Sequence, residues 1–286
     1  MDNELIDLLK SISLKLDSLV DTEAGTRQVT ASLEKFTAFT WHVSGLKQAL
    51  VGIAEPDPVR FEELLGIQSV ITALKRNTEQ FLMGYPANNV LLWGARGTGK
   101  SSCIKALHAT YHHRGLRLIE VDRDDLVNIH MLTPVLRNRK ERFIIFCDDL
   151  SYVNDEFRRL KTVIEGGLQR RPNNVLFYAT SNRRHLVPET FSENAPIKDE
   201  DGELHPGDTL QEKTSFSDRF GLKIGFNLFT PETYMDVIRY QLKARGIEIE
   251  EKIVFEQAMR WSIKHGGYSG RTAVQFVDDL EGRWRL

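Results

Sequence analysis

Cysteine is scarce: Cys103 and Cys147 are the only two in 286 residues, and neither falls in a metal-ligand or C-x-x-C spacing. A disulfide framework is therefore not expected, and a reducing compartment is the simpler reading. A basic excess is missing too, with 38 Lys and Arg against 40 Asp and Glu. Net charge by itself thus points to neither a nucleic-acid nor a membrane partner. No window reaches the roughly 18 consecutive apolar residues of a membrane span. The stretch Met1 to Lys10 carries acids where a signal peptide needs positive charge. These absences predict a cytoplasmic protein. What the chain does have is an ordinary 41% of apolar residues, over a length that suits one large domain or two modest ones.

Leu5, Leu9, Ile12, Leu16 and Leu19 recur at spacings of four and three, and Val29, Leu33 and Phe36 resume the pattern after Gly25. On a helix this makes a narrow apolar seam, so an amino-terminal helical arm is expected, either packed on the body or free to associate. From Ala38 to Arg60 the helical period is lost, and Pro56 and Pro58 break any helix, which predicts a linker. A helix is expected from about Ile67 to Phe81. Beyond Asn89, short apolar runs alternate with helix-period segments, the pattern of a parallel sheet with crossover helices. The expected strands are Val90 to Trp93, Leu116 to Val121, Phe143 to Cys147, Val175 to Ala179 and Leu222 to Phe226. Phe157, Leu160, Ile164 and Leu168 line one face of a helix between them. After Thr230 the chain reads as helices only, with Thr230 as N-cap, Pro231 in the first helical position and Gly246 past the end. Two further helices are expected around Val254 to Ile263 and Arg271 to Trp284. The predicted organisation is an α/β protein: an arm and linker over 1–60, a five-stranded parallel-sheet domain over 61–229, and a small all-helical domain over 230–286.

Between the first of these strands and a helix lies Gly94-Ala95-Arg96-Gly97-Thr98-Gly99-Lys100-Ser101, a Walker A pattern in the context that pattern requires. Glycines at 94, 97 and 99 let successive backbone N–H groups turn inward as an anion cradle. The following helix, beginning at Lys100, Ser101 and Ser102, adds its positive dipole end. Lys100 is expected to reach the β- and γ-phosphates and the Ser101 hydroxyl to ligate Mg²⁺. About 50 residues on, Phe143-Ile-Ile-Phe-Cys ends abruptly in Asp148-Asp149. Acids there stand at the carboxyl edge of the sheet, where open α/β folds bind ligands. Asp148 is the expected metal ligand, and Asp149 the base that polarises an attacking water.

These residues resemble the AAA+ ATPases over roughly Phe61 to Trp284. NTEQFLMGYPANNVLLWGARGTGKSS, FIIFCDDLS, EGGLQRRPNNVLFYATSNRRHLVPE, EKTSFSDRFGL and SGRTAVQFVDDL are similar, more narrowly, to an uncharacterised bacterial AAA+ family filed as a domain of unknown function. The resemblance implies a P-loop domain with a helical lid, ATP with Mg²⁺, hydrolysis, and assembly into a homo-oligomer. It places Asn182 as the polar sensor that orients water. Arg219, in Ser217-Asp-Arg-Phe220, takes the place of an arginine finger acting on a neighbouring subunit, with Arg183 and Arg184 as competitors. Arg271 matches the second sensor, in the lid. One departure stands out: the common pattern ends its acidic strand in Asp-Glu, and Asp149 is shorter by about one bond, ~1.5 Å.

The expected function is a Mg²⁺-dependent ATPase that remodels or assembles a protein or nucleic-acid partner. The alternative is a slow or non-hydrolysing ATP-gated loading module. A small-molecule kinase is disfavoured by the lid carrying Arg271 and by the Asp-Arg-Phe element. His108, His112 and His113 read as an exposed helix end, and Glu189 to Glu212 as a solvated loop. Asp122 to Met131, where translocases carry an aromatic pore loop, offers no aromatic residue, which weighs against threading.

Overall fold

The computed structural model describes residues 32–44, 47–150, 172–182, 197–198, 204–205 and 219–285. The seam from Leu5 to Leu19, the helix through Phe157 to Leu168, Arg183, Arg184 and most of the 189–212 loop lie outside these residues.

Seven strands form one sheet: β1 (Ala38–Ser44), β2 (Lys47–Gly52), β3 (Val90–Gly94), β4 (Leu116–Val121), β5 (Arg142–Cys147), β6 (Val175–Ser181) and β9 (Leu222–Phe226). A separate two-residue pair joins β7 (Ile197–Lys198) to β8 (Leu204–His205). The order across the main sheet is β2-β1-β4-β5-β6-β3-β9. Every pairing is parallel except β1 with β2.

The five expected strands are all present, but the expected five-stranded sheet is corrected to seven by β1 and β2. The linker expected from Ala38 onward is likewise corrected, because 38–52 extends the sheet. Phe39 and Trp41 are buried, alternating with the less buried Thr40 and His42. This period of two is a strand signal, which the prolines at 56 and 58 obscured by drawing the boundary too early.

Alternation along the central strands feeds two cores. Phe143 and Ile145 of β5 and Val175 and Phe177 of β6 face the side covered by α3 (Ile129–Leu136). Ile144, Phe146, Leu176 and Tyr178 face the side covered by α1 (Gln68–Leu82) and α2 (Lys100–Tyr111). Strands buried on both faces read as continuous apolar runs for this reason. The helix α1 follows Val70, Ile71, Leu74 and Phe81 at helical spacing.

α1 also buries two polar residues, Asn77 and Thr78. Asn77 Nδ2 donates to the Asn88 carbonyl at 2.9 Å and to Tyr178 Oη at 3.0 Å, and Thr78 Oγ1 lies 3.0 Å from the same phenol oxygen. Burial pushes the Tyr178 phenol up to about 12. This network fixes the turn that launches β3, and hence the loop after it. Tyr178→Phe is expected to cost about 1–2 kcal/mol by leaving buried donors unpaired, seen as a lower midpoint in urea unfolding with unchanged m-value.

His108 departs from the expected exposed helix end. It is buried, with Nε2 3.1 Å from the Thr37 carbonyl and 3.0 Å from its hydroxyl, and burial together with nearby His112 pushes its imidazole down to about 4. His112 and His113 are exposed. Both cysteines are buried thiols whose pKa burial raises to about 12.

Beyond β9 come α4 (Pro231–Ala244), α5 (Glu251–Lys264) and α6 (Gly270–Arg285). Thr230 caps α4 as its sequence signature predicts, accepting from the Thr233 N–H at 3.1 Å. Tyr234, Ile238, Ala258, Phe276 and Val277 form a core of their own. Among the described residues no helix is long and apolar enough to cross a membrane.

Candidate functional site

The strand order decides what meets the glycine loop. β3 lies between β6 and β9, and β5 lies beyond β6, so the carboxyl ends of β5 and β6 deliver Asp148, Asp149 and Asn182 beside residues 94–101. A cleft of ≈ 890 Å³ opens there, with the loop, the acidic strand end and the lid as its walls.

Gly94 (φ 136°), Gly97 (φ 75°) and Gly99 (φ 97°) all adopt backbone that side chains rarely take. Gly94 also has no room: a Cβ would sit 2.4 Å from the Phe226 carbonyl oxygen on β9. Gly99 is the N-cap of α2 and offers no side chain to cap it, so the first-turn N–H groups remain for a ligand. Thr98 Oγ1 donates to the Ala95 carbonyl at 2.9 Å and tightens the loop. Ser102 lines the cleft at the start of α2.

Lys100 is buried, and its Nζ donates to the carbonyls of Gly94 at 2.8 Å and Ala95 at 2.7 Å and reaches Asn182 Oδ1 at 3.4 Å. Burial pushes its ammonium below the usual lysine pKa, Asp148 and Asp149 pull it back up, and Arg96 and Arg271 add to the lowering. Ser101 Oγ donates to Asp148 Oδ1 at 2.7 Å, which brings the two expected metal ligands together. A hydroxyl and a carboxylate are the hard oxygen donors that Mg²⁺ takes.

Asp149 has φ 51°, the one non-glycine residue with positive φ among those described. Its N–H donates to Thr180 Oγ1 at 2.8 Å and to Asp148 Oδ1 at 3.1 Å, and Arg123 Nη2 donates to its carbonyl at 2.6 Å. Short polar side chains tolerate this left-handed backbone better than long ones, a local reason for aspartate where related patterns carry glutamate. The side chain accepts from Asn182 Nδ2 and, at 3.3 Å, from Arg96 Nη2.

The lid touches the loop directly. Gly270 N–H, opening α6, donates to the Gly97 carbonyl at 2.9 Å. Ser269 and Thr272 cap that helix reciprocally, and Arg271 lines the cleft. Arg219 is exposed just before β9 and is not among the residues lining the cleft.

Three features escaped the sequence. Thr180 binds both acids, and its one signal is a hydroxyl near the end of an otherwise apolar strand. Arg123 has no local signal. Val59, Leu64, Ile67 and Phe229 form an apolar wall of the cleft, contributed by Ile67 at the start of the expected helix and otherwise by segments that read only as connections.

A mostly parallel sheet with this strand order, a glycine loop at the end of β3 and a helical lid define the AAA+ class of P-loop NTPase folds. Within it, the chain belongs to the family described as "Protein of unknown function (DUF815)", which matches residues 34–284. Among solved structures, the Aeropyrum pernix ORC1 protein in complex with DNA is similar at 14% identity and TM-score 0.54, over 77% of this chain and 61% of that one. The Thermotoga maritima RuvB Holliday junction branch migration motor is similar at 16% identity and TM-score 0.46, over 78% of this chain and 72% of that one. No curated protein matches.

Proposed function

We propose that the chain binds ATP with Mg²⁺ in this cleft and hydrolyses it to ADP and phosphate, coupling turnover to remodelling or assembly of a macromolecular partner. The observation that carries this reading is the meeting of Lys100, the Ser101–Asp148 pair, the Asn182–Asp149 pair and Arg271 on one glycine loop. Residues 94–102 would cradle the phosphates, with Lys100 leaving its loop carbonyls for phosphate oxygens. Ser101 and Asp148 would hold Mg²⁺, which when bound neutralises phosphate charge. Asp149 would accept a proton from the attacking water, with Asn182 orienting that water. The apolar wall through Val59, Ile67 and Phe229 suits a nucleobase.

The proposal treats 61–229 as the nucleotide-binding domain and 230–286 as its lid, in a cytoplasmic protein. Its deciding experiment is nucleotide-dependent phosphate release by the purified chain with and without Mg²⁺. Absence of both ATP binding and release would end the reading.

Arg219, exposed beyond the cleft wall, suits action on a neighbouring copy in a homo-oligomer. Mixing Arg219→Ala chains with Lys100→Ala chains is then expected to restore part of the lost activity, since each supplies what the other lacks. Mixtures that stay inactive would count against a finger in trans. A second reading, a slow ATP-gated loading module, is favoured by the short Asp149, and a partner captured with ATP yet without turnover would select it.

A further inference from the structure

Away from the cleft, β1 and β4 run parallel with Trp41 paired to Val121. The residues that follow, His42 within β1 and Asp122 just past the end of β4, therefore emerge side by side, and the 3₁₀ turn Arg123–Asn128 brings Asp125 back to them. His42 Nδ1 lies 4.0 Å from Asp122 Oδ2 and 3.8 Å from Asp125 Oδ2, and one ligand atom from each of the three residues falls within 4.8 Å of the others. Both separations are too long for hydrogen bonds. They are close to what a shared ion gives: two ligands each about 2.1 Å from one metal stand about 3.4 Å apart at a tetrahedral angle, and ~4 Å apart when the angle opens.

From this geometry we infer a binding site for a divalent transition ion of the zinc type, with His42, Asp122 and Asp125 as its three protein ligands. An imidazole nitrogen with two carboxylates suits zinc, cobalt or manganese, whereas magnesium prefers oxygen alone. Asp125 is largely buried, at 16% side-chain exposure, while His42 and Asp122 are half or more exposed, at 52% and 74%. Solvent therefore reaches the remaining coordination positions, and the ion has an entry path.

The three ligands come from β1, from the end of β4 and from the turn after it, so an ion would clip the added β1–β2 pair to the central sheet. The clip also flanks Arg123, which donates to the Asp149 carbonyl at 2.6 Å. An occupied site would brace the turn that holds the acidic strand end. This last consequence rests on the proposed hydrolytic reading, whereas the metal site does not.

The test is calorimetric titration of Zn²⁺ into the nucleotide-free full chain. One ion per chain is expected, with affinity falling more than about tenfold in His42→Ala and in Asp125→Asn, and unchanged in Asp148→Asn. A second measurement needs no variant: Zn²⁺ is expected to protect His42 severalfold from diethylpyrocarbonate, read by peptide mass mapping. No stoichiometric zinc binding, binding indifferent to both ligand variants, binding lost with Asp148→Asn, or an unprotected His42 would each overturn the proposal. None of these outcomes depends on whether the chain hydrolyses ATP.

Discussion

Lys100→Ala is expected to weaken ATP binding by about 10- to 100-fold, because a charge-assisted hydrogen bond contributes about 1.5–3 kcal/mol and each 1.4 kcal/mol is tenfold. The reasoning starts from where the side chain sits. Lys100 is 7% exposed at the first turn of α2, and its ammonium already satisfies two loop carbonyls, at 2.8 and 2.7 Å. Burial disfavours its charge, and the carboxylates of Asp148 and Asp149 offset that cost. A polyphosphate would supply a stronger partner at the same place. Alanine removes the cation and the tie between α2 and the loop together, so the loss should exceed that of an exposed lysine. Fluorescence titration with a labelled ATP analogue in magnesium buffer measures it, and a thermal melt of the variant without nucleotide checks the fold. Affinity equal to wild type would refute the assignment of residues 94–101 as a phosphate cradle.

The central strands were legible because both of their faces are buried. Val90, Leu91 and Leu92, or Phe143 through Cys147, form runs with no polar interruption, and their shortness and flanking turn residues separate them from buried helix. The boundaries of α4 were equally plain, since Thr230, Pro231 and Gly246 act through local backbone chemistry that needs no tertiary context. By contrast, β1 pairs locally with β2 but joins the central sheet only through β4, residues about 80 positions away (Ala38 with Leu118). Its alternation of Phe39, Thr40, Trp41 and His42 is short, and the one local mark of its end is the Ser44-Gly45 turn signal. His108 shows the same limit: the hydrogen-bond partner of its buried ring is Thr37, 71 residues distant.

At the site, the legible residues were those whose own backbone or terminus dictates their type. Gly94, Gly97 and Gly99 need positive φ, and Asp148 follows directly from the end of a buried strand. Asn182, Arg219 and Arg271 came only with the family resemblance, because no local pattern sets an amide or arginine apart from its neighbours. Arg123 and the apolar wall through Val59 and Phe229 reach their positions by tertiary folding alone, and a single sequence holds no record of that. The aspartate at 149 is the instructive case. Side-chain length made it look like a defect, whereas φ 51° makes a short polar residue the fitting choice there.

Asp149→Asn is accordingly the substitution expected to separate chemistry from architecture most sharply. Asparagine tolerates the left-handed backbone as aspartate does, so the N–H bonds to Thr180 and Asp148 should persist. The ion pair lost with Arg96 is 3.3 Å long, between side chains 74% and 47% exposed, and pairs of that kind contribute little to stability. What disappears is the proton acceptor. A positioned general base contributes typically 10²–10⁴-fold, so steady-state phosphate release is expected to fall by about 100-fold or more, with ATP affinity held within about threefold. The two readings then diverge in a single experiment. A fast wild type and a dead variant identify Asp149 as the base of a working ATPase. A variant that releases phosphate at the wild-type rate removes Asp149 from the chemistry, and a wild type that binds ATP yet releases almost no phosphate leaves the cleft as a nucleotide-gated switch.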